Sequence, residues 1–311
     1  MREIATIVLP VFGIIALGYV VAWRGIIPER MGEGLSAFVF TIAIPAYLFR
    51  TMLTSTLPAA IPWEYWAVYF GGLGLVWVAT QIAVTRVTGE TREGILAGFT
   101  AVQGNIVLIG IPLAFKAFGD AAAIPVALIV GFNSPVLMTL ATLLLEGSRR
   151  GSDSGRAAAV SFARSVATNP IVMAILVGLS GNGLGLVLPG PVDGMIEMLG
   201  RAGPPGALFA LGLAMRQYGL GGRPGLIGAL CLIKLVLAPL LVYLLATRVF
   251  ALPPAFTGVA VLFAAMPVGI NVYLFAMRYQ SGIALASGAI AITTALGVVT
   301  TAFWLWVLGV G

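Results

Sequence analysis

The sequence predicts an all-α integral membrane protein, and three observations carry that prediction. Of 311 residues, 60% are hydrophobic and only 9% are charged, where a soluble globular chain carries about 25% charged residues. The mean hydropathy is +1.06, so lipid must be the solvent for most of the surface. The apolar residues fall into ten runs of roughly 20 residues, the length a helix needs to cross a hydrocarbon core. Forty Gly and eighteen Pro sit within apolar stretches, where membrane helices use them for close packing and for breaks.

The first run, 4–23, is too long for a signal-peptide core and no small-residue cleavage site follows it, so it reads as a spanning helix. The second, 35–53, contains Pro45, and the third is 65–85. The fourth, 94–118, contains Gly104, Gly110 and Pro112; the fifth is 121–145. A polar stretch rich in Arg, Gly and Ser follows and reads as a flexible linker. The sixth run is 168–188, and the seventh, 192–215, carries Pro204 and Pro205. The eighth is 224–249, the ninth, 255–279, contains Pro267, and the tenth is 283–310. The expected organisation is a first five-helix half over residues 1–146, a basic linker over 147–167 and a second half over 168–311.

Lys and Arg set the orientation. Eleven lie on the side of the linker and four on the side of both termini, with Arg201 and Lys234 inside spans. The linker is therefore expected in the cytoplasm and both termini outside. Five helices per half means that the second half inserts upside down, as an inverted repeat. Pro45-Ala46-Tyr47-Leu48-Phe49 echoes Pro205-Gly206-Ala207-Leu208-Phe209, and the fourth and ninth runs each hold a proline and an asparagine near mid-helix. Such matched, interrupted segments point to a transporter site.

The two interrupted segments read Gln103-Gly104-Asn105-Ile106-Val107-Leu108-Ile109-Gly110-Ile111-Pro112 and Met266-Pro267-Val268-Gly269-Ile270-Asn271. Proline removes an N–H and clashes with the carbonyl four residues back, and glycine lets the chain leave the helix. The freed backbone groups are tolerated only where they line a cavity or find partners. A half-helix start is positive and favours an anion, and Asn105 and Asn271 add neutral amide donors.

The Asn105, Gly110, Pro112 pattern, the stretch Met266–Ile270 continuing through Phe275, Ala276 and Tyr279, and Ile44–Phe49 resemble the fourth, ninth and second helices of the auxin efflux carrier family, in order along the whole chain. The family includes plant auxin exporters and bacterial carboxylate carriers; the long hydrophilic loop of many plant members is missing here. The resemblance implies a bile acid symporter-like, NhaA-like fold in which helices 4 and 9 cross at their prolines. It implies a panel of helices 1, 2, 6 and 7 that supplies a homodimer contact, and a transport bundle of helices 3, 4, 5, 8, 9 and 10. It implies an efflux carrier of the cell (inner) membrane that moves an auxin-like or dicarboxylic acid, with the carboxylate beside the crossing. The expected substrate-binding residues are Gln103, Asn105, Gly110, Pro112, Pro267, Gly269, Ile270 and Asn271.

Lys234 lies near the middle of the eighth run, a depth at which a charge costs about 3 kcal/mol and usually has a job. It is expected either to attract the anion or replace a coupling cation, or to pair with a carboxylate. Asp193, Glu197 and Arg201 share one helical face, an ion-paired entrance in which Arg201 could also help attract an anion. With no His, a lone Cys231 and no paired mid-span acids, no catalytic set, metal site or cofactor is expected. The basic residues sit in loops between runs, so no nucleic acid is expected; the partners are a small organic anion and membrane lipids. A channel or a non-transporting ligand sensor are the alternatives.

Overall fold

The computed structural model describes residues 2–27, 29–56, 63–148, 160, 163–164, 167–218 and 223–310. Most of the expected linker, including Arg149, Arg150, Asp153 and Arg156, lies outside them. The described chain is helical, and its one β-type pairing is an isolated antiparallel bridge between Gly104 and Val268.

The helices are α1 (Arg2–Trp23), α2 (Glu29–Phe38), α3 (Ile44–Thr54), α4 (Gly72–Thr88), α5 (Thr91–Val102), α6 (Ile111–Phe118), α7 (Ala123–Gly147), α8 (Pro170–Gly183), α9 (Gly190–Ala214), α10 (Pro224–Leu232), α11 (Ala238–Leu244), α12 (Pro254–Ala264), α13 (Asn271–Tyr279) and α14 (Ile283–Val307). Six helical stretches are long and apolar enough to cross a membrane, which makes this a multi-pass membrane protein. Hydropathy begins the second run at residue 35, but helix begins at Glu29, because the polar turn Glu29–Gly34 is helical without being apolar.

Proline explains where several of these helices loosen. Wide π-turns occupy Val39–Ala43, Ile106–Gly110 and Ile233–Leu237, each two residues before a proline, Pro45, Pro112 or Pro239. A proline cannot donate to the carbonyl four residues back and crowds it, and a wider turn relieves both problems. Before Pro239 the freed carbonyl is that of Leu235, and the Trp304 indole Nε1 donates to it at 2.8 Å.

Glycine decides which helices touch. A Cβ on Gly212 of α9 would lie 2.2 Å from the Ile15 carbonyl oxygen of α1, and one on Gly18 of α1 would lie 2.5 Å from that of Phe209. Gly178 of α8 meets Phe49 of α3 in the same way, at 2.6 Å. Small residues let backbones approach where lipid offers no hydrophobic drive to bring helices together. Polar caps complete this layer of α1, α3, α8 and α9. The Asn182 amide donates to the carbonyls of Met52, Leu53 and Ser55 at the end of α3, at 2.7–3.1 Å. Arg216 donates to Ala22 at the end of α1. Each cap satisfies carbonyls that the helix itself leaves unpaired.

The remaining helices pack around buried aromatics, among them Tyr65, Tyr69, Trp77, Phe99, Phe263 and Trp304. Tyr69 donates to the Asn133 amide oxygen on α7 at 3.1 Å.

The glycine contacts make a direct prediction. Gly212→Ala should lower the melting temperature of the detergent-solubilised protein, by overpacking of about 1–3 kcal/mol. Gly13→Ala, whose Cβ would meet nothing within 4 Å, should leave it unchanged; melting curves of the two variants read the difference.

Candidate functional site

The breaks at 103–105 and 265–270 lie against one another. Asn105 donates its backbone N–H to the Pro267 carbonyl at 2.7 Å, and Gly269 donates to the Gln103 carbonyl at 2.9 Å. These two bonds flank the Gly104–Val268 bridge. The Val268 N–H goes to the Thr293 hydroxyl of α14 at 3.0 Å. The approach requires glycine on both strands: a Cβ on Gly269 would sit 3.0 Å from the Gly104 carbonyl oxygen, and one on Gly104 would sit 3.1 Å from that of Phe263.

Four half-helix ends meet at this crossing. Two are C-terminal ends, Val102 of α5 and Ala264 of α12, each carrying about half a negative charge. Lys234 joins them. Its side chain is fully buried, and Nζ donates to the Ala264 carbonyl at 2.8 Å and the Val102 carbonyl at 3.3 Å. No described ion pair includes Lys234, so its partners are backbone carbonyls and not the carboxylate considered from sequence.

The other two ends are N-terminal: the turn from Ile106 that continues into α6, and α13 from Asn271. Asn105 caps the first of them, its Oδ1 accepting from the Leu108 N–H at 3.4 Å. That bond takes one of the orphan N–H groups of the half-helix; those of Ile106 and Val107 have no acceptor within it.

Both N-terminal ends border a cavity of about 400 Å³ that reaches from the crossing to Thr168, Asn169 and Pro170 at the start of α8. Gln103, Asn105, Gly269, Ile270 and Asn271 line it, five of the residues expected from sequence. Gly110, Pro112 and Pro267 do not line it. Gly110 is buried with a would-be Cβ 3.0 Å from the Phe263 ring, Pro112 is buried in the first turn of α6, and Pro267 supplies the carbonyl that Asn105 uses. These three shape the crossing and do not form a cavity wall.

Among the described residues no wall residue is charged; the polar ones are Thr, Ser, Asn and Gln. Gln103 is 2% exposed and Asn105 6%, and the Gln103 amide oxygen is buried without a hydrogen-bond partner. Sequence reasoning missed Phe40, Thr41, Ser134, Met138, Thr168 and Asn169. Two polar clusters inside apolar runs, Asn133-Ser134-Pro135 and Thr168-Asn169-Pro170, were the available signal.

A second cavity, about 680 Å³, lies at the opposite ends of the same helices. Pro125 of α7 faces it where Val130 and Met138 face the first, and Tyr47 of α3 faces it where Phe40 and Thr41 face the first. The two share no wall residue. Its wall is charged. Arg50 of α3 makes paired bonds to Asp193, 2.7 and 2.9 Å, and contacts Glu197 at 3.1 Å. Arg201 pairs with the other side of Glu197 and its side chain is 78% exposed. Arg201 therefore stands in a solvated ion-pair row on this second cavity, away from the crossing, and its entrance acids are shared with Arg50. Tyr47 and Phe115 meet edge to face, 5.1 Å between ring centres, on the same wall.

The Lys234 geometry predicts that Lys234→Met strips two buried carbonyls of their donor, each loss costing about 1–3 kcal/mol. The variant should melt well below wild type in detergent, while Lys116→Met, at an exposed position, should not.

The family described as membrane transport protein matches residues 3–305. A protein of Rhizobium meliloti (strain 1021) named "Putative malonate transporter" is 31% identical over 312 residues, spanning 100% of this chain and 98% of its own. The lysosomal cholesterol signaling protein of Mus musculus is 25% identical over 223 residues, 67% of this chain, and this chain spans 25% of its length. The match across nearly the whole chain and the motifs at the two breaks agree: the chain belongs to the membrane transport protein family, that of the auxin efflux carriers.

Proposed function

We propose that this membrane transporter is a secondary carrier of a small carboxylate that works by alternating access, with the carboxylate held at the crossing. The observation that carries the reading is the uncharged cavity ending on two half-helix N-termini and the amides of Gln103, Asn105 and Asn271. Such a site recognises a carboxylate through N–H groups and amides without the desolvation cost of a buried arginine. The full-length similarity to a protein named for malonate transport supports a short organic acid. Two cavities at opposite ends of the same helices support access from one side at a time.

In this reading ten spans form two inverted five-helix repeats, residues 1–146 and 168–311, joined by a cytoplasmic linker over 147–167. Spans 1, 2, 6 and 7 form a static panel, through which two copies pair, and spans 3, 4, 5, 8, 9 and 10 form the moving bundle. The glycine-stitched layer of α1, α3, α8 and α9 supports the panel. The protein sits in the cell's inner membrane with both termini outside the cytoplasm, and it exports its acid. Lys234 takes the place at the half-helix C-terminal ends that a coupling cation would otherwise fill.

The test is flux in proteoliposomes across a panel of short mono- and dicarboxylates, with sodium, proton and voltage gradients imposed in turn, comparing wild type with Asn105→Asp. Aspartate keeps the cap on Leu108 and adds a negative charge to the wall. Saturable wild-type flux and a loss of about tenfold or more in the variant, the size of a charged contact removed, with unchanged melting, are expected. Undiminished flux in a folded Asn105→Asp protein would move the site elsewhere. Saturable binding without flux would favour a sensor.

A further inference from the structure

Resting on the alternating-access reading above, we infer that the rings of Tyr47 and Phe115 are the gate that shuts the crossing off from the larger cavity. The smaller cavity runs from the crossing to Thr168, Asn169 and Pro170, so it opens toward the linker. The larger cavity lies at the other ends of the same helices, and the two share no wall residue. What separates them is the barrier that a carried acid has to pass.

That barrier can be followed along two chain segments that border both cavities. On the first, Phe40 and Thr41 face the smaller cavity and Tyr47 of α3 faces the larger. Ala43 and Ile44 stand between them at helical spacing on the same face, and neither has exposed surface. On the second, Val107 faces the smaller cavity and Phe115 of α6 faces the larger. Ile111, four residues from each, has no exposed surface either. The seam between the cavities is thus lined by apolar side chains. Its end on the larger cavity is closed by the two rings, edge to face with 5.1 Å between centres.

The two rings belong to different packed bodies. Tyr47 is fixed to α9: a Cβ on Gly200 would lie 3.0 Å from the Tyr47 Cα, and one on Gly203 would lie 3.2 Å from the Ala43 carbonyl oxygen. Arg50, one turn further along α3, binds Asp193 and Glu197 of that same α9. Phe115 goes with α12 and α7. The Phe118 ring of its helix fits against Gly258 of α12, where a Cβ would come within 2.5 Å. Tyr65 ties α12 to α7, since its ring meets Phe256 at 5.0 Å and its hydroxyl donates to the Pro125 carbonyl at 3.1 Å. Among the described wall residues of the larger cavity, the hydrogen bonds and ion pairs run within one body or the other, and the ring pair spans the two. An aromatic contact suits that place. It excludes water while closed, and parting it strands no buried donor or acceptor, as parting an ion pair or a hydrogen bond would.

The experiment reads the gate without any substrate. The full chain carries Ser134→Cys, on the wall of the smaller cavity, together with Cys231→Ala, in sealed vesicles of known orientation. A membrane-impermeant maleimide is added from the side of the larger cavity. Phe115→Ala should raise the labelling rate about fivefold, the weight of one aromatic pair, and Phe115→Tyr, which keeps a ring, should hold it at the starting rate. With Tyr47→Cys and Phe115→Cys added, a short cleavable bis-maleimide that joins the two positions should cut labelling at position 134 to background, and cleaving the linker should restore it. Labelling that ignores Phe115→Ala, in a variant that melts as the parent does, would overturn the gate. So would labelling that persists at the starting rate once positions 47 and 115 are joined, an arm that does not depend on the alanine variant folding. Labelling that follows the ring pair in a protein that carries no acid of the panel would sink the carboxylate reading and leave the gate in place.

Discussion

A backbone inside hydrocarbon has no water to turn to, so every N–H and carbonyl freed by a broken helix must find a partner in the protein or face a cavity. Two breaks placed against each other meet that demand in part by pairing with one another. The bonds from Asn105 to Pro267 and from Gly269 to Gln103 are a fragment of antiparallel sheet inside a helical protein. They bring the chain so close that a Cβ on Gly269 would crowd the Gly104 carbonyl, and one on Gly104 would crowd the carbonyl of Phe263. What the pairing leaves over defines the rest of the site. Spare carbonyls at the two C-terminal ends explain a lysine with no exposed surface. Spare N–H groups at the two N-terminal ends border the adjoining cavity, whose described wall residues are uncharged.

The two breaks were legible in the amino-acid order because their cause is local, whereas their crossing was implied by the family resemblance. Pro112 and Pro267 stand beside glycines that let the chain leave the helix, and Asn105 stands where a half-helix needs a cap. The same local signals overreached at Gly110 and Pro112, which bend and pack the chain at a distance from the cavity surface. What stayed hidden depends on which segments become neighbours. Lys234 was conspicuous as a charge, but its partners are carbonyls, which every residue possesses and no sequence pattern marks. Arg50 counted only toward orientation until α3 and α9 lay side by side and brought it to Asp193 and Glu197. Thr41, Ser134 and Thr168 are ordinary small polar residues within apolar runs; only their convergence on one space distinguishes them.

The two cavities differ in electrostatic character as well as in size. The larger one is bordered by a half-buried row of alternating charges, Arg50, Glu197 and the exposed Arg201, with Asp193 beside Arg50. Water and salt screen such a row, so it presents a mixed surface to whatever approaches. The smaller one has neutral walls among its described residues and borders fixed backbone dipoles at two half-helix starts.

A field built from main-chain dipoles has a consequence for how such proteins diverge. Because the positive field at the crossing belongs to helix ends and not to any particular side chain, mutational drift can replace the wall residues around it without erasing that field. A lineage can exchange Phe40, Met138 or Ile171, and so reshape the cavity, through single neutral steps. The paired glycines and Lys234 enjoy no such latitude, since each is held by backbone atoms on several sides. The shape of the cavity in such a lineage is free to wander while the backbone framework of the crossing stands still.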